Sequence, residues 1–270
     1  MPPSAEIEVK IPNENDTSKP TRKRHGARNQ HRHKDFAKWI VKTFPQSIKD
    51  AKDSTEPGST SHSSIPEVST GHILDVAGGK GELSARLTLC HTLRVEMVDP
   101  RAADIYDCFH KQVFKSLPKK WQQRINSQDP ERIKSVINHR FFQFEQYFPS
   151  DGNDVITELK RDEKLLDAVQ RSTLIIGMHA DGATEAIVDI ALHFRKPFIV
   201  VPCCVFPNLF RSRFVPSDDD PEKMLPVRNH AQLCKYLSMK DSHFVVETLP
   251  FQGRNCGIWW DGNFCDGDEE

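Results

Sequence analysis

Four short stretches of this chain carry residues that could hold a ligand or move a proton. ILDVAGGKGELS (73–84) sets Gly78, Gly79 and Gly81 behind an apolar run, with Asp75 ahead of them. Glycines reach positive φ without strain and let a ligand come close to the backbone. Asp99 follows Gly79 by twenty residues and closes the run LRVEMVD. An acid at that point can accept hydrogen bonds from both hydroxyls of a ribose. MHADGATE (178–185) offers His179, which can act as a general base near neutral pH, and Asp181. Asp181 could orient the histidine, act on a bound acceptor, or serve as the N-cap of the helical stretch that follows. VPCCVFPNLF (201–210) adds Cys203 and Cys204, which read either as small buried hydrophobes or as the wall of a substrate site.

These residues are positioned by an alternating pattern. HILDVA, LRVEMVD, SVINHRFFQF, TLIIGMH and PFIVVPCCVF read as strands. ELSARLTLCH, ADIYDCFHKQVFKSL, VITELKRDEKLLDAVQRS and ATEAIVDIALHFRK read as the helices between them. PFIVVPCCVF is apolar throughout, as suits a strand buried on both faces. Such alternation means a parallel, doubly wound sheet, with ligands outside the carboxyl ends of its strands. After a helix near 229–238 come HFVVETL and NCGIWW, joined by PFQGR. Two strands that close must be antiparallel.

The fold class expected is therefore α/β, a Rossmann-like doubly wound seven-stranded sheet with a terminal antiparallel hairpin. That hairpin, with Asp75, Ala77, Gly79 and Gly81 standing where D/E-x-G-x-G-x-G requires an acid and three small residues, resembles the class I S-adenosylmethionine (SAM) methyltransferases. The resemblance implies a SAM site with Asp75, Ala77, Gly78, Gly79, Gly81 and Asp99 as binding residues. It also implies that Phe142 and Gln143, at the end of the third strand, lie beside the adenine, although phenylalanines there also suit sheet packing. The loops after strands four and five are similar to a branch of that family with His-x-Cys-Gly and Cys-Cys, which includes a tRNA 2′-O-methyltransferase family. His179, Gly182, Cys203 and Cys204 match, while Asp181 stands in place of a cysteine, so that branch's substrate does not carry over. The roles implied are catalytic for His179 and Asp181, and substrate-lining for Cys203 and Cys204.

Composition sets the remaining bounds. The 270 residues are 37% hydrophobic and 28% charged with net charge −1, enough for one sizeable domain and a tail. Charge is uneven: Lys19, Arg22, Lys23, Arg24, Arg28, Arg32 and Lys34 stand together with no acid among them. Residues 19–34 could track RNA phosphates, act as a nuclear-import signal, or form a solvated tail. The division expected is a disordered basic arm over 1–28, a helix and Ser-rich linker over 29–70, a methyltransferase domain over 71–262 and an acidic tail over 263–270. In the helix of 30–44, Phe36 and Trp39 either pack on the sheet and cover the pocket or offer stacking surface to bases.

Seven cysteines without a CxxC pair argue against a disulfide framework and against a metal site. With no 18-residue apolar run and no secretory leader, the chain is expected to be intracellular, in cytoplasm or nucleus. A non-catalytic RNA-binding or assembly factor on the same fold, and an NAD-linked oxidoreductase, are the alternatives. The dinucleotide pattern G-x-G-x-x-G fits only as GKGELS, with Ser84 at its third glycine. One expectation is geometric: Ala77, at the motif's first glycine position, should keep a negative φ.

Overall fold

The computed structural model describes residues 31–52, 71–150 and 154–263. The basic arm, the Ser-rich segment and the acidic tail lie almost wholly outside them.

Seven strands form the main sheet: β1 (His72–Val76), β2 (Val95–Val98), β3 (Phe141–Phe144), β4 (Ser172–Met178), β5 (Phe198–Val201), β8 (Val245–Thr248) and β9 (Cys256–Trp260). Their order is β3-β2-β1-β4-β5-β9-β8, and the first five are parallel. β9 runs antiparallel to both β5 and β8, so the terminal hairpin completes the sheet as expected. The direction of winding reverses between β1 and β4, which opens a crevice at their carboxyl ends. A separate two-stranded ribbon, β6 (Phe214–Pro216) with β7 (Met224–Pro226), follows β5 and has no counterpart in the sequence reading.

Helices cover both faces. α1 (Arg32–Thr43), α2 (Pro45–Asp50) and α3 (Glu82–Cys90) lie on one side. α7 (Val155–Lys160), α8 (Glu163–Arg171), α9 (Thr184–His193) and α10 (His230–Ser238) lie on the other. α4 (Ile105–Cys108), α5 (Lys119–Asn126) and α6 (Pro130–Arg140) form a third packed group between β2 and β3. Alternation along the central strands feeds both cores: Ile73, Leu174, Ile176 and Ile199 enter the first, and Leu74, Ile175, Phe198 and Val200 the second.

Several boundaries differ from expectation, each for a local reason. SVINHR is helical rather than extended, because Asp129 caps α6 by accepting from the Glu131 N–H and Pro130 fits the first helical turn. The stretch 155–171 is two helices, since the Asp162 side chain accepts from the Leu165 N–H and starts α8 afresh. Pro45 begins α2 directly after α1. The helix expected from Ala103 is α-helical only over α4; a wider π turn (Phe109–Val113) and a 3-10 turn (Phe114–Ser116) follow. β5 stops at Val201, ahead of Cys203 and Cys204, where Pro202 brings no N–H to continue a ladder.

α1 is held by aromatics. Phe36 and Ile40 are fully buried, and Trp39, Phe44 and Trp259 meet edge to face at 5.5–6.0 Å between ring centres. The Trp39 indole donates to the Glu247 carboxylate at 2.5 Å. Phe36 is therefore core, not a platform for bases. Truncating it should leave a cavity that the rigid sheet face cannot collapse into. Phe36→Ala is expected to cost about 3–5 kcal/mol in denaturant unfolding; a loss under about 1 kcal/mol would show that α1 is not integral to this core.

Candidate functional site

The carboxyl ends of β1, β2, β4 and β5 bring the expected residues to one edge of the sheet. Strained backbone is concentrated there. Among non-glycine residues, Ala77 (φ 57°) follows β1, His179 (φ 58°) and Asp181 (φ 48°) follow β4, and Phe206 (φ 48°) follows β5. Such conformations cost about 1–3 kcal/mol each and persist where the surroundings over-determine them. Ala77 thus departs from the negative φ expected of it. Its N–H donates to the Val98 carbonyl at 2.8 Å, and that continuation of the β1–β2 ladder fixes the residue before the turn.

The glycine loop is a tight turn with its ends pinned. Gly79 (φ 63°) and Gly81 (φ 75°) are left-handed, and Gly81 leads directly into α3. Gly78 is required by closeness: a Cβ there would stand 2.5 Å from the Met97 sulfur and 2.9 Å from Asp75 Oδ2. Gly79 is open, its nearest neighbour being Arg101 Nη2 at 3.7 Å from an added Cβ.

The two acids of the motif have different surroundings. Asp75 is 1% exposed and accepts from the Ser84 hydroxyl at 2.6 Å. It sits beneath the loop, where burial pushes its carboxyl up to about 7, opposed by the Ser84 bond and assisted by the Asp99 charge. Ser84 is the residue that replaces the third glycine of the dinucleotide pattern, and its hydroxyl ties α3 to β1. Asp99 is equally buried, and burial alone would raise its carboxyl. Hydrogen bonds reverse that: it accepts from the Arg101 N–H (2.9 Å), the Arg101 guanidinium (3.0 and 3.1 Å) and the Gly79 N–H (2.9 Å), and is held below the usual carboxylate range.

The third strand corrects the adenine assignment. Gln143 donates to the carbonyls of Asp99 (3.0 Å) and Arg101 (2.8 Å) and accepts from the Ala103 N–H (3.0 Å). Its amide braces the loop after β2 and is spent there. Phe142 is 56% exposed and meets Phe144 edge to face at 4.9 Å. A ring on this edge strand remains available; a free glutamine amide does not.

The loop after β4 docks on β5 through the His179 N–H, which donates to the Val201 carbonyl at 3.1 Å. The His179 Nδ1 is buried and has no hydrogen-bond partner among the described residues. Burial, reinforced by the charges of Arg32 and His33, pulls the imidazole down to about 4. It is neutral at physiological pH and a weaker base than an ordinary histidine.

Asp181 does not cap α9. It lies in a 3-10 turn (Asp181–Ala183), and the helix starts at Thr184 with no side-chain cap. Its carboxylate instead accepts from the Cys203 thiol at 3.1 Å, with Cys204 Sγ 3.5 Å from Cys203 Sγ. Burial, then Asp181 and Cys204, pushes Cys203 up to about 12; the Asp181 carboxylate also raises Cys204. Neither is a thiolate nucleophile in this setting. Sequence spacing argued against a metal-ligating set, yet these two loops gather three donors, Asp181, Cys203 and Cys204, within 4.8 Å of one another. Arg101, two residues past the strand-ending acid, is the neighbour of Asp99 that spacing alone did not single out.

No protein-family model matches this chain, and no curated protein does. Among solved structures, the PH0226 protein from Pyrococcus horikoshii OT3 is similar over 70% of this chain and 79% of that one, at 12% identity and a TM-score of 0.26. That similarity is too slight to assign an activity. No helix among the described residues is long and apolar enough to cross a membrane.

The buried acid under the loop has a consequence for stability. An Asp75 carboxyl raised from 3.8 to about 7 binds its proton more tightly folded than unfolded. Its contribution is present at low pH and is lost as pH rises through that window. His72 and His179, both lowered to about 4, act in the opposite sense between about 4 and 6.5. Asp75→Asn removes only the first effect. The melting temperature of Asp75→Asn relative to the native chain should therefore climb from pH 5 to pH 8 in thermal scans. A difference that stays flat with pH would show that Asp75 is not a buried, protonated carboxyl.

Proposed function

We propose that the chain is a SAM-dependent methyltransferase whose acceptor is RNA. The observation that carries the reading is the crevice between β1 and β4. There a left-handed glycine turn, a strand-ending carboxylate and a half-buried histidine, whose buried Nδ1 has no partner among the described residues, lie on one sheet edge.

The residues present fit such a cofactor after one movement. Asp99 would take the ribose hydroxyls once the Arg101 guanidinium swings away. That side chain is 75% exposed and free to move outward, and the ribose hydroxyls would donate to the buried carboxylate in its place. Gly79 offers open backbone, and Phe142 a ring face for adenine. Asp75, beneath the loop, would act by holding the turn rather than by touching the ligand. Bound in this crevice, SAM supplies an electrophilic methyl group. The chain's own part is to fix the acceptor in line, which contributes most of the rate in such displacements. His179, neutral above about pH 4, would accept a hydrogen bond from an acceptor hydroxyl and draw its proton.

RNA is favoured by charge placement. Arg32 and His33 lie close enough to depress His179, so the described end of the basic segment stands beside the crevice. Arg254 acts on His179 and Cys204 with the same sign. The filled carboxylate at Asp99 is the observation on the side of the second reading, a non-catalytic RNA-binding or assembly factor that keeps the fold.

Calorimetry with SAM, S-adenosylhomocysteine and NAD separates these readings. SAM or its product should bind, and Asp99→Ala should weaken it at least tenfold, about 1.4 kcal/mol. Absence of both at about 1 mM ligand would sink the enzyme. Tritiated-methyl transfer from SAM into fractionated cell RNA, protein and small molecules identifies the acceptor. His179→Ala should slow that transfer by at least about tenfold, toward the low end of general-base effects because a base near 4 is poorly matched to pH 7. An unchanged rate would remove His179 from the chemistry.

Deleting residues 1–28 takes away Lys19, Arg22, Lys23, Arg24 and Arg28. RNA affinity should fall, and the slope of log affinity against log salt should flatten by up to about 3.5. Identical slopes with and without the segment would exclude it from the interface.

A further inference from the structure

Asp181, Cys203 and Cys204 come from different loops and meet at the mouth of the crevice. Cys203 Sγ lies 3.1 Å from Asp181 Oδ1 and 3.5 Å from Cys204 Sγ, and all three donor atoms fall within 4.8 Å. In a tetrahedral site with Zn–S near 2.3 Å and Zn–O near 2.1 Å, neighbouring donors stand about 3.5–3.8 Å apart. The Cys203–Cys204 separation falls in that range, the Cys203–Asp181 separation is about half an ångström shorter because a hydrogen bond now joins the pair, and the third separation is within 4.8 Å, so small side-chain rotations would bring the three atoms onto one face of that tetrahedron.

We infer that Asp181, Cys203 and Cys204 form a binding site for a soft divalent cation of the zinc class, with one coordination position left open toward the crevice. Three protein ligands with an open fourth position is the pattern of zinc sites that do chemistry, whereas structural sites close all four. Two sulfurs select zinc-class ions over calcium and magnesium, which take oxygen donors.

The surroundings hold the donors in place. The His179 N–H anchors the first loop on the Val201 carbonyl, and the Asp181 carbonyl accepts from the Thr184 hydroxyl at 2.9 Å. His230 Nε2 lies 3.0 Å from the Pro202 carbonyl, directly before the two cysteines. Asp181 is exposed and both cysteines are half-buried, so the ion has an entry path. On binding, the two thiol protons leave to solvent and the cation takes their place between the carboxylate and two thiolates; no oxidant or reductant is needed.

The site goes beyond the methyltransferase reading and does not depend on it, because metal binding is measured with no methyl donor present. The full chain, reduced and stripped with a chelator, is titrated with Co²⁺ as a spectroscopic stand-in. One Co²⁺ per chain should bind with a thiolate-to-cobalt charge-transfer band, and Zn²⁺ should displace it. Cys203→Ser with Cys204→Ser should abolish the band, and Cys90→Ser, at an exposed thiol remote from the site, should preserve it. Asp181→Asn, on the surface and harmless to folding, should weaken binding at least tenfold while keeping the circular dichroism unchanged. No charge-transfer band in the reduced native chain overturns the site. So does a band that survives the double serine change, or Asp181→Asn binding as tightly as the native chain.

Discussion

The buried carboxylate of Asp99 is the point on which the edge of this sheet depends. A charge with 1% exposure is tolerable only when hydrogen bonds satisfy it, and here they come from two loops. The Gly79 N–H ties it to the turn after β1, and Arg101 ties it to its own loop. Gln143 then clamps that second loop to β3 through three hydrogen bonds. One ionised group thus sets three strand ends relative to one another. Arg101 supplies three of the four hydrogen bonds that satisfy it.

The opposite wall of the crevice is built on backbone strain rather than on charge. His179 and Asp181 both take left-handed conformations, and the chain between β4 and α9 follows a path that ordinary residues resist. Backbone pairing supplies the constraint: the His179 N–H is fixed on the Val201 carbonyl of β5. The outcome is chemical. Burial first, and then the charges of Arg32 and His33, keep His179 neutral, and a carboxylate that could have capped a helix faces a thiol instead.

α1 connects these walls to the basic segment. Its aromatic face is consumed in packing against Phe251 and Trp259, which leaves its polar end beside His179 and the start of α3. His33 Nδ1 lies 2.9 Å from Glu82, and that carboxyl is lowered to about 2: burial opposes the shift, while His33 and Arg86 drive it. Positive charge therefore reaches the crevice by way of a helix whose position is set by its hydrophobic side.

Alternation of apolar runs with helical periods was enough to determine the doubly wound sheet and the terminal hairpin, because hydrophobic periodicity is a local property of a chain. The spacing from Asp75 through the glycines to Asp99 was likewise legible, since each residue sits at a strand terminus that the pattern marks. Side-chain partners were not. Gln143 turned inward to brace a loop, Asp75 sank beneath the turn, and Phe36 entered the core with Trp39 half-buried against it, because each choice depends on neighbours far away in sequence. Ala77 accepted a positive φ because ladder pairing with β2 outweighed its own preference. The meeting of Asp181 with Cys203 and Cys204, some twenty residues apart, carries no spacing signature at all. It exists only because β4 and β5 are neighbours in the sheet, so that the loops leaving them must meet.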